Sequence, residues 1–392
     1  MTKPTKKHSS TEQAPTATPS FSSADLFALD ELLSPADLEL RSRVRNWVET
    51  YYLPVVADHF EKGTFPLTLA RQIAGFGAFG GNIQGYGCAG LSALQYGLIM
   101  QELERGDSGL RTFASVQGAL AMNAIHMFGS EEQKQKWLPA MATGEKLGCF
   151  GLTEPDFGSN PAGMVTTARK TKTGYVLSGK KMWIGLGTIA DVAIVWAKVD
   201  GEKGVDPRSP AAIRGFLVEK GTTGFSADLI EGKYSLRAAN TSRLSFGECA
   251  LPAESLLPAS NGLKSPLQCL NHARYGIAWG VLGAGLACFE EARRYAGQRV
   301  QFGKPIAGFQ LVQRKLALML TELTKAQLVA WRLAQLKDAG RATFVQISMA
   351  KRNNVATALE IARTTRDLLG GVGILGQYQA FRHMANLESV KT

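Results

Sequence analysis

The sequence predicts an α+β fold, mainly helical, in the order helices, sheet, helices, and three features predict it. Apolar residues recur at helical spacing over the first third, short β-branched and aromatic runs broken by Gly, Pro and Asp fill the middle, and long helical patterns return after Pro258. The expected divisions are 1–22, 23–148, 149–258 and 259–392.

Residues 1–22 are mostly Thr, Ser, Pro, Lys and Ala, so burial cannot offset the entropy of ordering them and a disordered tail is expected. A transit peptide is the alternative, but the first arginine is Arg41 and no amphipathic basic helix precedes it. Order should begin at Ser34-Pro35-Ala36-Asp37, a cap followed by Pro at the first helical position and an acid in the first turn. Val44, Trp47, Val48 and Tyr51 continue that helix as one apolar face, and Leu67–Phe76, Ser92–Arg105, Gly109–Phe128 and Glu131–Thr143 read as further helices. In the middle, Tyr175–Leu177, Val192–Val199, Ile213–Glu219 and Arg243–Phe246 predict antiparallel strands. Leu267–Arg299, Gln310–Ala339, Thr343–Leu369 and Gln377–Glu388 then predict a helical bundle.

Composition narrows the partners. The formal net charge of +11 would suit a polyanion or a ligand carrying several phosphates, yet no nucleic-acid motif or arginine-rich helix accompanies it, and a solvated basic surface with a basic tail at Lys3, Lys6 and Lys7 is the preferred explanation. No run of apolar residues is long enough to span a bilayer. The five cysteines are scattered and the five histidines form no HExxH or paired cluster, so neither a disulfide framework nor a metal site is expected.

The loop Phe150-Gly151-Leu152-Thr153-Glu154-Pro155-Asp156-Phe157-Gly158-Ser159 carries two hydroxyls, open glycine backbone and a stiffening proline. Such a loop can donate to the edge of a planar heterocycle or to phosphate, although taken alone it could be any loop. With Lys181-Met182-Trp183-Ile184 it resembles the flavin cradle of the acyl-CoA dehydrogenases. Further blocks match in order: Glu102 to Arg111, Gly129 to Lys134, Ala273 to Gly280, Gln301 to Pro305 and Leu369 to Ile374, and the resemblance is strongest to the glutaryl-CoA dehydrogenase branch.

That resemblance implies an N-terminal α-helical domain, a middle antiparallel β domain and a C-terminal four-helix bundle. It also implies non-covalent FAD, an acyl-CoA substrate, electron transfer to an electron-transferring flavoprotein, and a homotetramer. By motif, Phe150 to Ser159 and Trp183, Ile184 and Gly185 would line the flavin, with Ser159 also near the thioester. Arg299, Gln310 and the run Asp367-Leu368-Leu369-Gly370-Gly371 would reach it across a subunit boundary. An arginine fork suits pyrophosphate and adjacent glycines permit close backbone approach, whereas a lone arginine is otherwise a surface ion-pair partner. The segment Leu267-Gln268-Cys269-Leu270-Asn271-His272-Ala273-Arg274 matches the substrate-binding stretch.

Arg111 bears most on the substrate. Its guanidinium could pair with a second carboxylate at the far end of an acyl chain, with Thr112 adding a hydroxyl, or it could bridge to Asp107 on its own helix, with Glu104 in the same polar cluster. The first arrangement would select glutaryl-CoA.

No residue of the chain is expected to be the proton-abstracting carboxylate. Some branches place it directly before the arginine equivalent to Arg274, where this sequence has Ala273, and the others place it in a Tyr-Glu-Gly-Thr motif expected beyond Thr392. Glu388 reads as a structural residue, and truncation is the expected reason for the missing motif. Three departures point elsewhere: Gly185 stands where the family commonly has Thr, Asn160 replaces an Asp, and Val372 replaces an Asn. A glycine at 185 is similar to plant short-chain acyl-CoA oxidases. The alternatives are therefore a general short-chain dehydrogenase, an oxidase reacting with oxygen, or a flavin-binding protein without turnover. The compartment expected is bacterial cytoplasm, with mitochondrial matrix or peroxisome as alternatives.

Overall fold

The computed structural model describes residues 24–392, so the tail expected over 1–22 lies outside the described residues. The first helix, α1 (Pro35–Trp47), starts where the sequence places it. The Ser34 side chain accepts from the Asp37 N–H while Asp37 accepts from the Ser34 N–H, and Pro35 fills the first helical position. A π-helical turn at Val48–Tyr52 carries the chain into α2 (Leu53–Lys62), which Gly63 ends in a left-handed conformation. The helix expected over Leu67–Phe76 is one α turn, α3 (Leu67–Ala70), followed by a 3₁₀ segment, Arg71–Phe76.

Capping boxes at Ser92 and Ser130 start α4 (Ala93–Gly106) and, later, α7 (Glu131–Ala142). Between them runs α5 (Ser108–Ala114), whose first turn is capped by Asp107, a π-helical stretch over Ser115–Met122, and α6 (Asn123–Phe128). The single helix expected over Gly109–Phe128 is therefore continuous in path but widened in its middle.

The sheet departs from expectation in direction and in extent. Its seven strands are β1 (Gly148–Gly151), β2 (Thr167–Lys170), β3 (Gly174–Gly185), β4 (Val192–Asp200), β5 (Ile213–Glu219), β6 (Phe225–Leu229) and β7 (Thr241–Pro252). They are ordered β1-β4-β2-β3-β7-β6 with β5 on the far side of β4. The expected antiparallel domain is a mixed one: β1 and β2 both pair parallel with β4, end to end along the same edge, and the remaining pairings are antiparallel. The parallel pairing follows from long connections, since β1 and β2 reach β4 only after the β2–β3 hairpin has been made. With partners on both edges, β4 is buried from Val192 to Val199.

The C-terminal helices are α8 (Lys264–Gln298), α9 (Gln310–Asp338), α10 (Phe344–Leu369) and α11 (Ala380–Lys391), with a small hairpin, β8 (Val300–Gln301) and β9 (Lys304–Pro305), between α8 and α9. Helix α8 is the axis of the molecule. It packs against α4 through small residues: a Cβ on Gly97 would overlap the Trp279 ring, and one on Gly283 would collide with the Gln101 carbonyl. Tyr275, fully buried on α8, donates its hydroxyl to the Ala93 carbonyl at 2.7 Å.

Candidate active site

The loop after β1 and the middle of β3 are held together by one polar centre. Lys181 and Glu154 are both buried, with Nζ 2.8 Å from Oε1. The Lys181 ammonium also donates to the Leu152 carbonyl at 3.1 Å. The Glu154 carboxylate accepts the backbone N–H groups of Val165 at 2.7 Å and Thr166 at 3.0 Å. Burial pushes the Lys181 ammonium down to about 8 against the pull of Glu154. For Glu154, burial works to raise the carboxyl but is outweighed by Lys181 and the hydrogen bonds, which hold it below its ordinary value.

Next to this centre the Met182 N–H donates to the Thr153 carbonyl at 2.9 Å. One extra residue then sits in β3 relative to β7, between Lys181 and Ile184. Trp183 occupies that bulge with φ 63°, a conformation uncommon for a bulky residue, and is 59% exposed. On the other side of the bulge the Ser242 hydroxyl donates to the Ile184 carbonyl at 2.9 Å.

The loop residues expected to line a flavin divide by this arrangement. Phe150 packs on Trp196, Gly151, Leu152 and Ile184 are buried, and Glu154 points inward at Lys181, so those side chains face the protein. Thr153 and Phe157 are half-buried, while Pro155, Asp156, Gly158 and Ser159 are exposed. An exposed aromatic on a strained bulge beside an open hydroxyl- and glycine-bearing loop fits a planar, hydrogen-bonding heterocycle, with Trp183 for its face and loop backbone for its edge.

A second group of expected residues lies at the start of α9 and the end of α10. Arg299 and Gln310 are exposed, and Asp367 is tied to Lys315 at 2.6 Å. Gly370 and Gly371 are open, with nothing within 4 Å of a Cβ built on either, and Gly370 has φ 63°. Leu368 and Leu369 are buried and anchor the turn. The glycines leave backbone accessible as a phosphate would need.

Arg111 is buried on α5, and its partner is Glu104, Nε to Oε2 at 2.6 Å, rather than Asp107. Asp107 is committed elsewhere: it caps Gly109 at 2.7 Å, accepts from Asn386 at 2.8 Å and pairs with Arg382 at 3.2 Å. Its extended backbone at the α4–α5 junction turns its carboxylate toward α11, whereas Glu104, on the last turns of α4, reaches back along α5. Ser108 donates to Glu104 at 2.7 Å, and Gly280 on α8 makes the space, since a Cβ there would overlap Glu104 and lie 3.0 Å from Arg111 Cγ. Thr112 is half-buried beside it.

The same helical run joins this pair to the bulge. A Cβ on Gly185 would lie 3.0 Å from Val116 Cγ2, so the missing side chain at 185 is matched by Val116. On α8, Cys269 and Ala273 are buried, Gln268 is exposed, and Leu267, Leu270, Asn271, His272 and Arg274 are half-buried. Burial, then Lys337 and His126, lower His272 to about 4. Lys351 on α10 is lowered by burial, then by Arg274 and Arg111, so three cations share one field beside the stretch of α8 from Arg274 to Gly280. Glu388 is exposed and paired with Arg363. The sequence reading placed neither Val116 nor Lys351 at the site and assigned no role to Lys181 or Gly280, although the latter two lie inside matched motifs. For Lys181 the signal was a charge on a strand inside the quoted motif, and for Gly280 a place in the matched block beginning at Ala273.

Among described residues no group of three or more His, Cys, Asp or Glu is placed to hold a metal ion, and no helix is long and apolar enough to cross a membrane. The pattern for "Acyl-CoA dehydrogenase, N-terminal domain" matches residues 34–145, that for the middle domain 149–249 and that for the C-terminal domain 260–391. The chain belongs to the acyl-CoA dehydrogenase family. It is 49% identical to a glutaryl-CoA dehydrogenase from Mycobacterium smegmatis, solved in complex with FADH2, with a TM-score of 0.90 over 94% of this chain and 93% of that one. It is 34% identical to the human mitochondrial short-chain specific acyl-CoA dehydrogenase over 86% of this chain and 82% of the relative. A chain of a solved structure of the electron transferring flavoprotein of Acidaminococcus fermentans is 31% identical, with a TM-score of 0.86 over 92% of this chain and 94% of that one.

Proposed function

We propose that this acyl-CoA dehydrogenase oxidises glutaryl-CoA, with loss of CO2 to give crotonyl-CoA, and passes the electrons to an electron-transferring flavoprotein. The observation that carries the substrate assignment is Arg111, buried and held by Glu104, on the helical run that meets Gly185, just past the Trp183 bulge, through Val116. A fixed guanidinium in a buried site recognises a carboxylate strongly, and Arg274 and Lys351 add positive potential around it. The neighbour solved with FADH2 supports the cofactor, and the short-chain relatives keep a general short-chain substrate as the competing reading.

FAD, when bound, supplies the acceptor for the hydride from the β-carbon. The chain's own residues orient: Trp183 and the loop backbone from Thr153 to Ser159 hold the ring, Leu267 to Arg274 hold the acyl-CoA, and Arg299, Gln310 and Asp367 to Gly371 serve the cofactor of a neighbouring subunit. The apolar exposed side chains Phe302, Leu311 and Leu318 around the start of α9 support association into the homotetramer. Ala273 has no group that can take a proton, and Glu388 is exposed and paired with Arg363, so neither is assigned as the base.

A second reading is favoured by Gly185. With no hydroxyl at this position and Val116 against it, the site lacks a donor toward the flavin that a threonine would offer, which supports direct reaction with oxygen. Turnover with glutaryl-CoA under air decides between them. A dehydrogenase needs an added acceptor and releases little hydrogen peroxide; stoichiometric peroxide without an acceptor selects the oxidase. Oxidation of butyryl-CoA with no glutaryl-CoA activity would overturn the dicarboxylate assignment.

A further inference from the structure

Lys181 and Glu154 form a buried ion pair in which neither group is free for proton transfer. Such a pair is seldom a net gain in stability over an apolar packing of similar volume. What this one does is geometric. Through three protein acceptors and donors it gathers the exit of β1 at Leu152, the approach to β2 at Val165 and Thr166, and β3 itself onto a single point. Residues 153 and 182, adjacent to the two partners, are hydrogen-bonded to each other at 2.9 Å. The next residue is Trp183, in the left-handed conformation.

We infer that the Lys181–Glu154 pair is a positioning clip that sets the spacing between the loop Thr153 to Ser159 and the Trp183 bulge, and thereby the affinity and electronic environment of the flavin. The inference rests on the flavin reading of this site. A left-handed tryptophan is strained backbone, and strain of that kind persists only when the surroundings over-determine it. The clip over-determines it on one side of the bulge and the Ser242 hydroxyl on the other. Released from the clip, the bulge can relax and the loop can drift from it.

The test compares wild-type apoprotein with the double variant Lys181→Met/Glu154→Gln, which removes both charges at nearly constant length and leaves neither unpaired. FAD affinity is measured by flavin fluorescence, the visible flavin band is recorded on the loaded protein, and unfolding of each apoprotein is followed by circular dichroism. A clip predicts an FAD Kd raised by about tenfold or more, as release of one strained residue implies. It also predicts a shifted flavin band, with the apoprotein melting point nearly unchanged. A Kd within about twofold of wild type and an unmoved band would overturn it, whatever the melting point does. Should the double variant not fold, Lys181→Met alone keeps both Glu154 oxygens as acceptors for the Val165 and Thr166 N–H groups while releasing β3, and the same two readouts apply to it. Wild-type apoprotein that refuses FAD would instead overturn the flavin reading, which keeps the two failures distinct.

Discussion

Replacing Arg111 separates a substrate-reading role from a structural one. In Arg111→Met the guanidinium is lost while most of the side-chain volume stays, but Glu104, fully buried, is left with Ser108 as its remaining side-chain partner. Breaking one half of a buried pair costs about 3–5 kcal/mol of stability, so the single variant should melt well below wild type. The compensated variant Glu104→Gln/Arg111→Met removes that cost and is the better probe. A hydrogen bond to a charged group contributes about 1.5–3 kcal/mol, which at 1.4 kcal/mol per decade is about 10- to 150-fold. The ratio of kcat/KM for glutaryl-CoA to that for butyryl-CoA should therefore fall by that factor, mostly through KM for glutaryl-CoA. Steady-state kinetics on both thioesters reads it. Equal losses on the two substrates would refute a carboxylate role for Arg111 and leave the pair as packing.

Gly280→Ala pushes a methyl group into Glu104 and Arg111, so it should cost about 1–3 kcal/mol by overpacking and lower glutaryl-CoA preference in the same direction as removing the arginine; thermal melting and the same kinetic ratio check it. Gly283→Ala, which meets the rigid Gln101 backbone rather than side chains, should destabilise more than Gly280→Ala while leaving the substrate ratio alone. Burial holds His272 near 4, and burial, Arg382 and Arg105 hold His383 well below its ordinary value, so the unfolded chain takes up protons that the folded chain refuses. That stabilisation is complete above about pH 6.5 and is lost as pH falls, by up to about 1.4 kcal/mol per pH unit for each histidine. Denaturant midpoints from pH 7.5 to 5 should fall less steeply in His272→Gln than in wild type, and parallel curves would contradict the assignment.

Much of the fold was legible because its signals are local. The cap at Ser34 with Pro35 and Asp37 marks a helix start from four residues, and the long patterns of α8, α9 and α10 need no tertiary information. What was not legible depends on neighbours distant in sequence. Strand direction at β1 and β2 is decided by which edge of β4 is free, and strands of four or five residues carry too little periodicity to stand out. At the site, the motif located the loop and the strand through Trp183 but gave no sign of the bulge there and could not say which side chains face inward. Glu154 was read with its neighbours as lining a cofactor, and only the fold brings Lys181 to it. Likewise Arg111 was equally compatible with Asp107 or an acyl carboxylate, and the extended backbone at Asp107 directs that acid to Asn386 and Arg382 instead.

The most direct measurement is a titration of the FAD-loaded protein with glutaryl-CoA and with butyryl-CoA, following the flavin absorption without oxygen. Glutaryl-CoA should perturb or bleach the flavin at concentrations at least about tenfold lower than butyryl-CoA, the lower bound for a hydrogen-bonded charge. A protein that takes up no FAD, or a flavin that responds equally to the two thioesters, would contradict a site built from the Trp183 bulge and a carboxylate-reading Arg111.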